Sequence, residues 1–448
     1  MTADNASPAW VSDNPFLHGP YAPVFEERDD RNLPVQGEIP RDLNGAFLRN
    51  GPNPQFAPEI YQYPMDGTGM VHAIYFEDGQ ARYRNRWVRT TEFLQEQAAG
   101  HRLFGPTFGP PPVANLANTH IIRHAGRYLA LWEGGLPHLL DRDLNTLHPH
   151  DFDGRLPGAM SAHPKFDPDT GEMVAVAYDA NEPRLDYLVV DRHGVLTKAL
   201  SFDGPWPAMI HDVAITRNYV VAFVCPYVLE QPQPQWRPAL GTAIAVIPRR
   251  GGGQAIRWLE APPFFHFHVM NAFERDHYIE VQLPWFSSYG TPGRLELHRL
   301  RISLENGATQ DEPLDDCPCE FPRINDRFAM RENRFGYVAF RNPRPNETPT
   351  PGVFEALARY DLKTGSRVVR TLPAGEFVGE PVFVPAPGGT AEDDGYVITF
   401  VYNARDDRSS VHLYDARDLY AAPVAQIPLP ARVPAGLHGS WVPEGGAA

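Results

Sequence analysis

Six residues able to bind or support a metal recur along this 448-residue chain at a near-constant interval. They are His163 in SAHPKFDP, His211 in MIHDVAIT, His268 in FHFHVMNAFE, Glu320 in CEFPRI, Glu380 in GEPVFVP and His438 in GLHGSW, separated by 48, 57, 52, 60 and 58 residues. Such spacing predicts one structural unit repeated along the chain, with an imidazole or a carboxylate at the same point of each unit. Short apolar runs bounded by Pro and Gly, such as YLALW, YLVVD, YVVAFV and YVITFVY, read as strands. A four-stranded propeller blade takes roughly 40–50 residues, and more with long loops, so this interval predicts an all-β chain of about seven blades. If the six residues sit on strands lining the propeller axis, alternation turns them inward, and they converge on an axial metal site.

The chain is longer than the ~100–200 residues of an ordinary domain, yet no low-complexity linker or charge block divides it. Residues 1–448 therefore read as a single seven-bladed β-propeller domain with a loop or helical cap over one face. The turn-rich N-terminal arm, about residues 1–40, is expected to wrap the rim. A formal charge of −15 opposes nucleic acid and anionic membrane surfaces as partners and points to a small molecule. No apolar run approaches the ~18–20 residues of a membrane span, and MTADNASPAW has neither a basic nor an apolar leader region. The mixed segment 228–240, VLEQPQPQWRPAL, predicts at most weak membrane contact. Three cysteines, Cys225, Cys317 and Cys319, make an odd count and predict reduced thiols in a cytoplasmic protein. The glycines of DGTGM have no phosphate-binding context and read as turns.

A lone histidine in a strand is usually a hydrogen-bonded structural residue, and the chain has 17. Periodicity is what raises His163, His211, His268 and His438 above the rest. In FHFH, alternation puts His266 and His268 on one face, and spacing alone leaves both open as ligands. A compact zinc barrel built on that HxH pair is a rival, but a ligand set extending to His438 fits it poorly. A metal-free propeller acting as a binding module is the second rival.

The blocks FLRNGPNPQF, DGTGMVHAIYF, ANTHIIRHAGRYLALWEGG, SAHPKFDPDTGEM, MIHDVAITRNYVVAF, FHVMNAFE, EFPRI, GEPVFVP, AEDDGYVITFVYNA and GLHGSWVP, in that order, resemble the carotenoid cleavage oxygenase family from about residue 40 to the C-terminus. The resemblance implies a seven-bladed propeller with a non-heme Fe(II) on its axis, splitting an alkene with O₂ into two carbonyl products. Carried over by position, the iron ligands would be His163, His211, His268 and His438, with the HxxNA pattern selecting His268 over His266. The outer glutamates would be Glu133 in LWEGG, Glu320 and Glu380, paired with His211, His268 and His438, leaving His163 without a carboxylate. Four neutral imidazoles leave two octahedral positions free, while outer carboxylates fix each tautomer and offset the ion's charge. No general base or nucleophile is implied beyond the metal centre.

The family includes enzymes acting on carotenoids or apocarotenoids and others acting on phenolic alkenes such as isoeugenol, vinylguaiacol and hydroxystilbenes. Phenol-cleaving relatives tend to carry a Lys before the first outer Glu and a Tyr just after an LFG motif; here those positions hold Trp132 and Thr107. A buried phenol would lose roughly 1–3 kcal/mol for each missing contact, whereas Trp132 offers an apolar wall. An apocarotenoid-like substrate is therefore expected, contacted by Met65, Thr107, Trp132, Met209, Phe267 and Phe321.

Overall fold

The run YVVAFV has no polar alternation because both faces of its strand are buried. Val220, Ala222 and Val224 pack toward one neighbouring sheet, and Val221 and Phe223 toward the other. The same logic holds all the way round the computed structural model, which describes residues 12–62, 64–107, 109, 111–230, 233–251, 253–290, 293–341 and 353–444. Seven antiparallel sheets surround one axis, and seven apolar layers, each shared by two adjacent sheets, form the core. This is the seven-bladed β-propeller that the interval predicts.

Blade 1 runs from His120–His124 to Thr146–Pro149, blade 2 from Lys165–Phe166 to Leu196–Asp203, and blade 3 from Ala214–Ile215 to Arg257–Ala261. Blade 4 runs from Asn271–Arg275 to Thr309–Asp315, and blade 5 from Cys319–Arg323 to Ser366–Thr371. Blade 6 starts at Val382–Pro385 and ends at Ala425–Pro428. Blade 7 closes the ring: the C-terminal strand Gly439–Pro443 is its innermost and pairs with the N-terminal strand Gly45–Arg49, Gly45 facing Pro443 and Arg49 facing Gly439. Closure leaves no blade with an uncovered face.

The N-terminal arm ties two blades together at the rim. Asp29–Asp30 adds a short outer strand to blade 7, and Gln36–Gly37 adds one to blade 6. Residues 1–11 of the expected arm lie outside the described residues. The connection from blade 7 to blade 1 carries the helix Thr91–Ala99, capped by the Thr90 hydroxyl accepting from the Phe93 amide and ended by Gly100 in the left-handed conformation. This connection forms the cap over one face. In the segment 228–240, residues 231 and 232 lie outside the described residues, and Tyr227–Val228 pairs with Gln235–Trp236. Among the described residues no helix is long and apolar enough to cross a membrane.

One expectation is corrected in detail. The four histidines do not sit within strands: His163, His211, His268 and His438 occupy loop residues one to three positions before the innermost strands of blades 2, 3, 4 and 7. Strand alternation therefore does not govern them, and His266 and His268 do not share a face.

Candidate metal centre

Each innermost strand starts near the axis, so the residues that lead into it converge there. His163, His211, His268 and His438 each present a ring nitrogen, and all four lie within 4.8 Å of one another. Nε2 of His268 is 3.2 Å from Nε2 of His211 and 3.0 Å from Nε2 of His438. His163 packs against the His211 and His438 rings at centroid separations of 4.3 and 4.4 Å, and its buried Nε2 has no hydrogen-bond partner among the described residues.

Three carboxylates hold the outer edges of these rings. His268 Nδ1 donates to Glu320 Oε2 at 2.5 Å, and His438 Nδ1 to Glu380 Oε1 at 3.0 Å. His211 Nδ1 pairs with Glu133 Oε1, while Glu133 Oε2 accepts from the Tyr178 hydroxyl at 2.8 Å. These are the contacts that the resemblance implies, and no carboxylate among the described residues contacts His163. Glu133 reaches the site from the end of the second strand of blade 1, which explains why it falls outside the interval that the other residues obey.

Electrostatics keep two of these rings neutral. Burial, reinforced by neighbouring imidazoles, holds His163 and His438 well below the ordinary imidazole range. At His211 burial pulls the same way but is outweighed by Glu133, which raises it. Protons committed at Nδ1 leave Nε2 lone pairs facing one another at about 3 Å, an arrangement that is repulsive until a cation lies between them.

Glu320 is positioned by local strain. The register slips between Glu320 and Arg323, and Phe321 takes φ +52°, a left-handed conformation costing of order 1–3 kcal/mol. That turn sends the Phe321 amide into Glu320 Oε2 at 2.6 Å and lays its ring 5.5 Å from His268 and 5.3 Å from His438.

A cavity of about 1150 Å³ opens onto His211, His268 and His438 from the capped face. Met65, Thr107, Trp132, Phe267 and Phe321 line it. Met209 does not: it packs with Phe223 and Phe264 in the layer between blades 3 and 4. His266 is also turned away, edge-on to the Phe223 ring at 5.0 Å. The Thr107 hydroxyl is already engaged, 2.9 Å from both Met65 O and Asp66 Oδ1. Trp132 lies over Gly134, where a Cβ would stand 2.6 Å from its ring. The sequence reading missed the blade 1 counterpart of the series. Thr119 lines the cavity, and buried His120 lies 6.0 and 5.5 Å from the His163 and His438 rings. One further interval upstream of His163 marks that position, but it holds Asn-Thr-His in place of a lone ligand or carboxylate.

Four imidazoles gathered at the axis of a seven-bladed propeller, below one large cavity, define an oxygenase of the carotenoid-cleavage type. Residues 21–443 match the family described as retinal pigment epithelial membrane protein, and the chain belongs to that family, the carotenoid cleavage oxygenases. It is 36% identical to isoeugenol monooxygenase of Pseudomonas nitroreducens, over 96% of this chain and 98% of that one. The crystal structure of lignostilbene dioxygenase of Pseudomonas brassicacearum superposes with a TM-score of 0.90 at 31% identity, covering 96% of this chain and 99% of that one. A variant of the apocarotenoid oxygenase of Synechocystis gives a TM-score of 0.87 at 30% identity, over 95% and 98%. A cobalt-substituted form of the same enzyme gives 0.84 at 30%, over 94% and 97%.

Proposed function

We propose that this chain holds Fe(II) through His163, His211, His268 and His438 and cleaves the C=C bond of an apocarotenoid-like alkene with O₂, giving two carbonyl products. The observation that carries the metal assignment is the charge around the facing lone pairs. Glu133, Glu320, Glu380 and Asp212 are buried or nearly so and contribute a formal −4, and Lys165 and Arg323, which contact Asp212 and Glu380, contribute +2. The remaining −2 is the complement of one divalent cation. Bound iron would supply the activation of O₂. Substitution by cobalt in the Synechocystis relative supports a divalent occupant of this kind.

The chain's own residues bind and orient. Glu133, Glu320 and Glu380 fix three ring tautomers so that Nε2 faces inward. Phe267, Phe321 and Trp132 border the approach with apolar surface that excludes water and gives the alkene a flat wall. The cavity exceeds the ~300–1,000 Å³ typical of small-ligand sites, which suits an extended polyene. No lysine is among the described residues lining it, so a phenolic oxygen meets no ammonium there.

A second reading, the same chemistry on isoeugenol or a hydroxystilbene, is favoured by the likeness to isoeugenol monooxygenase and lignostilbene dioxygenase. Aerobic incubation of the iron-loaded protein with apocarotenals, isoeugenol and hydroxystilbenes, read by mass spectrometry, separates the two. Cleavage of none of them, with iron bound, would overturn the activity. The three buried, unpaired cysteines support a reducing, cytoplasmic location as part of this proposal.

A further inference from the structure

Beneath the four histidines, on the side away from the large cavity, lies a smaller one of about 150 Å³. Its lining includes Lys165, Asp212 and Val269, which follow the ligands His163, His211 and His268, together with Arg323 and Glu380. Two cations organise this underside. Lys165, two residues after His163, sends Nζ to within 2.8 Å of Asp212 Oδ2 and 3.5 Å of Val269 O. Asp212, the residue after His211, accepts the Val269 amide at 2.7 Å, and Val269 is the residue after His268. One ion pair thus joins the three loops carrying His163, His211 and His268.

Arg323 does the corresponding work across the axis. It lies three residues after Glu320, and its Nη1 donates to Glu380 Oε1 at 3.2 Å and to Gly439 O at 3.3 Å, Gly439 being the residue after His438. Between them the two cations connect the six blades that supply the histidines and the two periodic glutamates. The Asp212 side chain is only 2% exposed, so its charge is shielded from water and committed to these partners. Deleting the ammonium leaves a buried carboxylate uncompensated next to the histidines, which the loops can relieve only by moving.

We infer that Lys165 and Asp212 form a positioning clamp under the metal centre, setting the mutual placement of His163, His211 and His268 and retaining the ion. Neither residue lines the substrate cavity, so the clamp acts on the metal and not on alkene binding. The inference rests on the four-histidine centre proposed above and adds to it residues that contact no metal themselves.

The test uses the full chain loaded with Co(II), whose visible d–d bands report ligand geometry. Lys165→Met should shift those bands and release cobalt to a chelator about tenfold faster or more. The metal-free variant should melt lower, because the Asp212 carboxylate is left uncompensated, so release is measured well below both melting transitions, and KM for the alkene of the iron-loaded variant should be unchanged. Lys165→Arg keeps the charge and should restore the bands and the slow release. Bands and release in Lys165→Met that match wild type would overturn the clamp. So would faster release in Lys165→Met with the cobalt bands of wild type, or a folded Lys165→Arg that fails to restore the slow release. Failure of the wild-type protein to bind cobalt at all would instead overturn the metal centre on which the inference stands.

Discussion

Glu380 holds His438 and the strand behind it with one carboxylate: Oε1 accepts from His438 Nδ1 at 3.0 Å, and Oε2 accepts from the Gly439 amide at 2.7 Å. Ring orientation and entry into the closing strand are therefore fixed together. Glu380→Gln retains one acceptor but loses the charge and must turn an NH₂ toward one of the two donors. Metal affinity or turnover should fall about 10–100-fold, with the propeller still folded by circular dichroism. Titration with Fe(II) and a steady-state assay check it, and wild-type values in both would remove Glu380 from the centre.

The FHFH segment makes a sharper comparison. His268 faces the other three imidazoles, whereas His266 is buried against Phe223 and held neutral, its ring pushed down to about 3 by burial. His268→Ala should abolish iron binding and nearly all activity, as should alanine at His163, His211 or His438. His266→Ala should keep iron near one per chain and lose stability by the few kcal/mol typical of emptying a buried side chain. Metal analysis of the two purified variants decides between them.

These two histidines also mark what a sequence can and cannot disclose here. The repeat was legible because a propeller places one loop per blade at the axis, so spacing alone finds His163, His211, His268, Glu320, Glu380 and His438. Which side a residue faces was not, because the ligands precede the strands and alternation fails there. Met209 illustrates this: it adjoins the ligand loop in sequence but turns into the layer between blades 3 and 4. Lys165, Asp212 and Arg323 lie within three residues of a recognised position, yet their partners are on other blades, and an ion pair across blades leaves no local signature. Tyr178 was invisible for the same reason, since it lines the cavity from blade 2 and its partner Glu133 comes from blade 1.

Gly134 is required by contact, as its conformation is one that other residues adopt. A methyl group there would stand 2.6 Å from the Trp132 ring, which is buried and borders the cavity. Gly134→Ala should cost about 1–3 kcal/mol through overpacking and displace Trp132 into the cavity. A lower melting temperature together with a raised KM for a long alkene is the expected pair of results. A lower melting temperature with KM unchanged would mean that Trp132 does not border the bound substrate.

Trp132 and Thr107 stand where phenol-cleaving relatives tend to carry Lys and Tyr, and the structure adds a reason that Thr107 cannot substitute for the tyrosine. Its hydroxyl is held by Asp66 Oδ1 and Met65 O, so no free donor reaches a phenolic oxygen from that position. The wild-type protein should therefore show a higher kcat/KM for an apocarotenal than for isoeugenol or a 4-hydroxystilbene. Combining Trp132→Lys with Thr107→Tyr should move the ratio toward the phenol, by about tenfold for each ~1.4 kcal/mol of new contact in the transition state. The new ammonium must find the hydroxyl, because a buried charge without a partner would destabilise the cavity wall. Melting temperature measured with and without a phenolic ligand reads that outcome separately. A wild-type ratio favouring isoeugenol or a hydroxystilbene by tenfold or more would overturn the apocarotenoid assignment and leave alkene cleavage at the four-histidine centre standing.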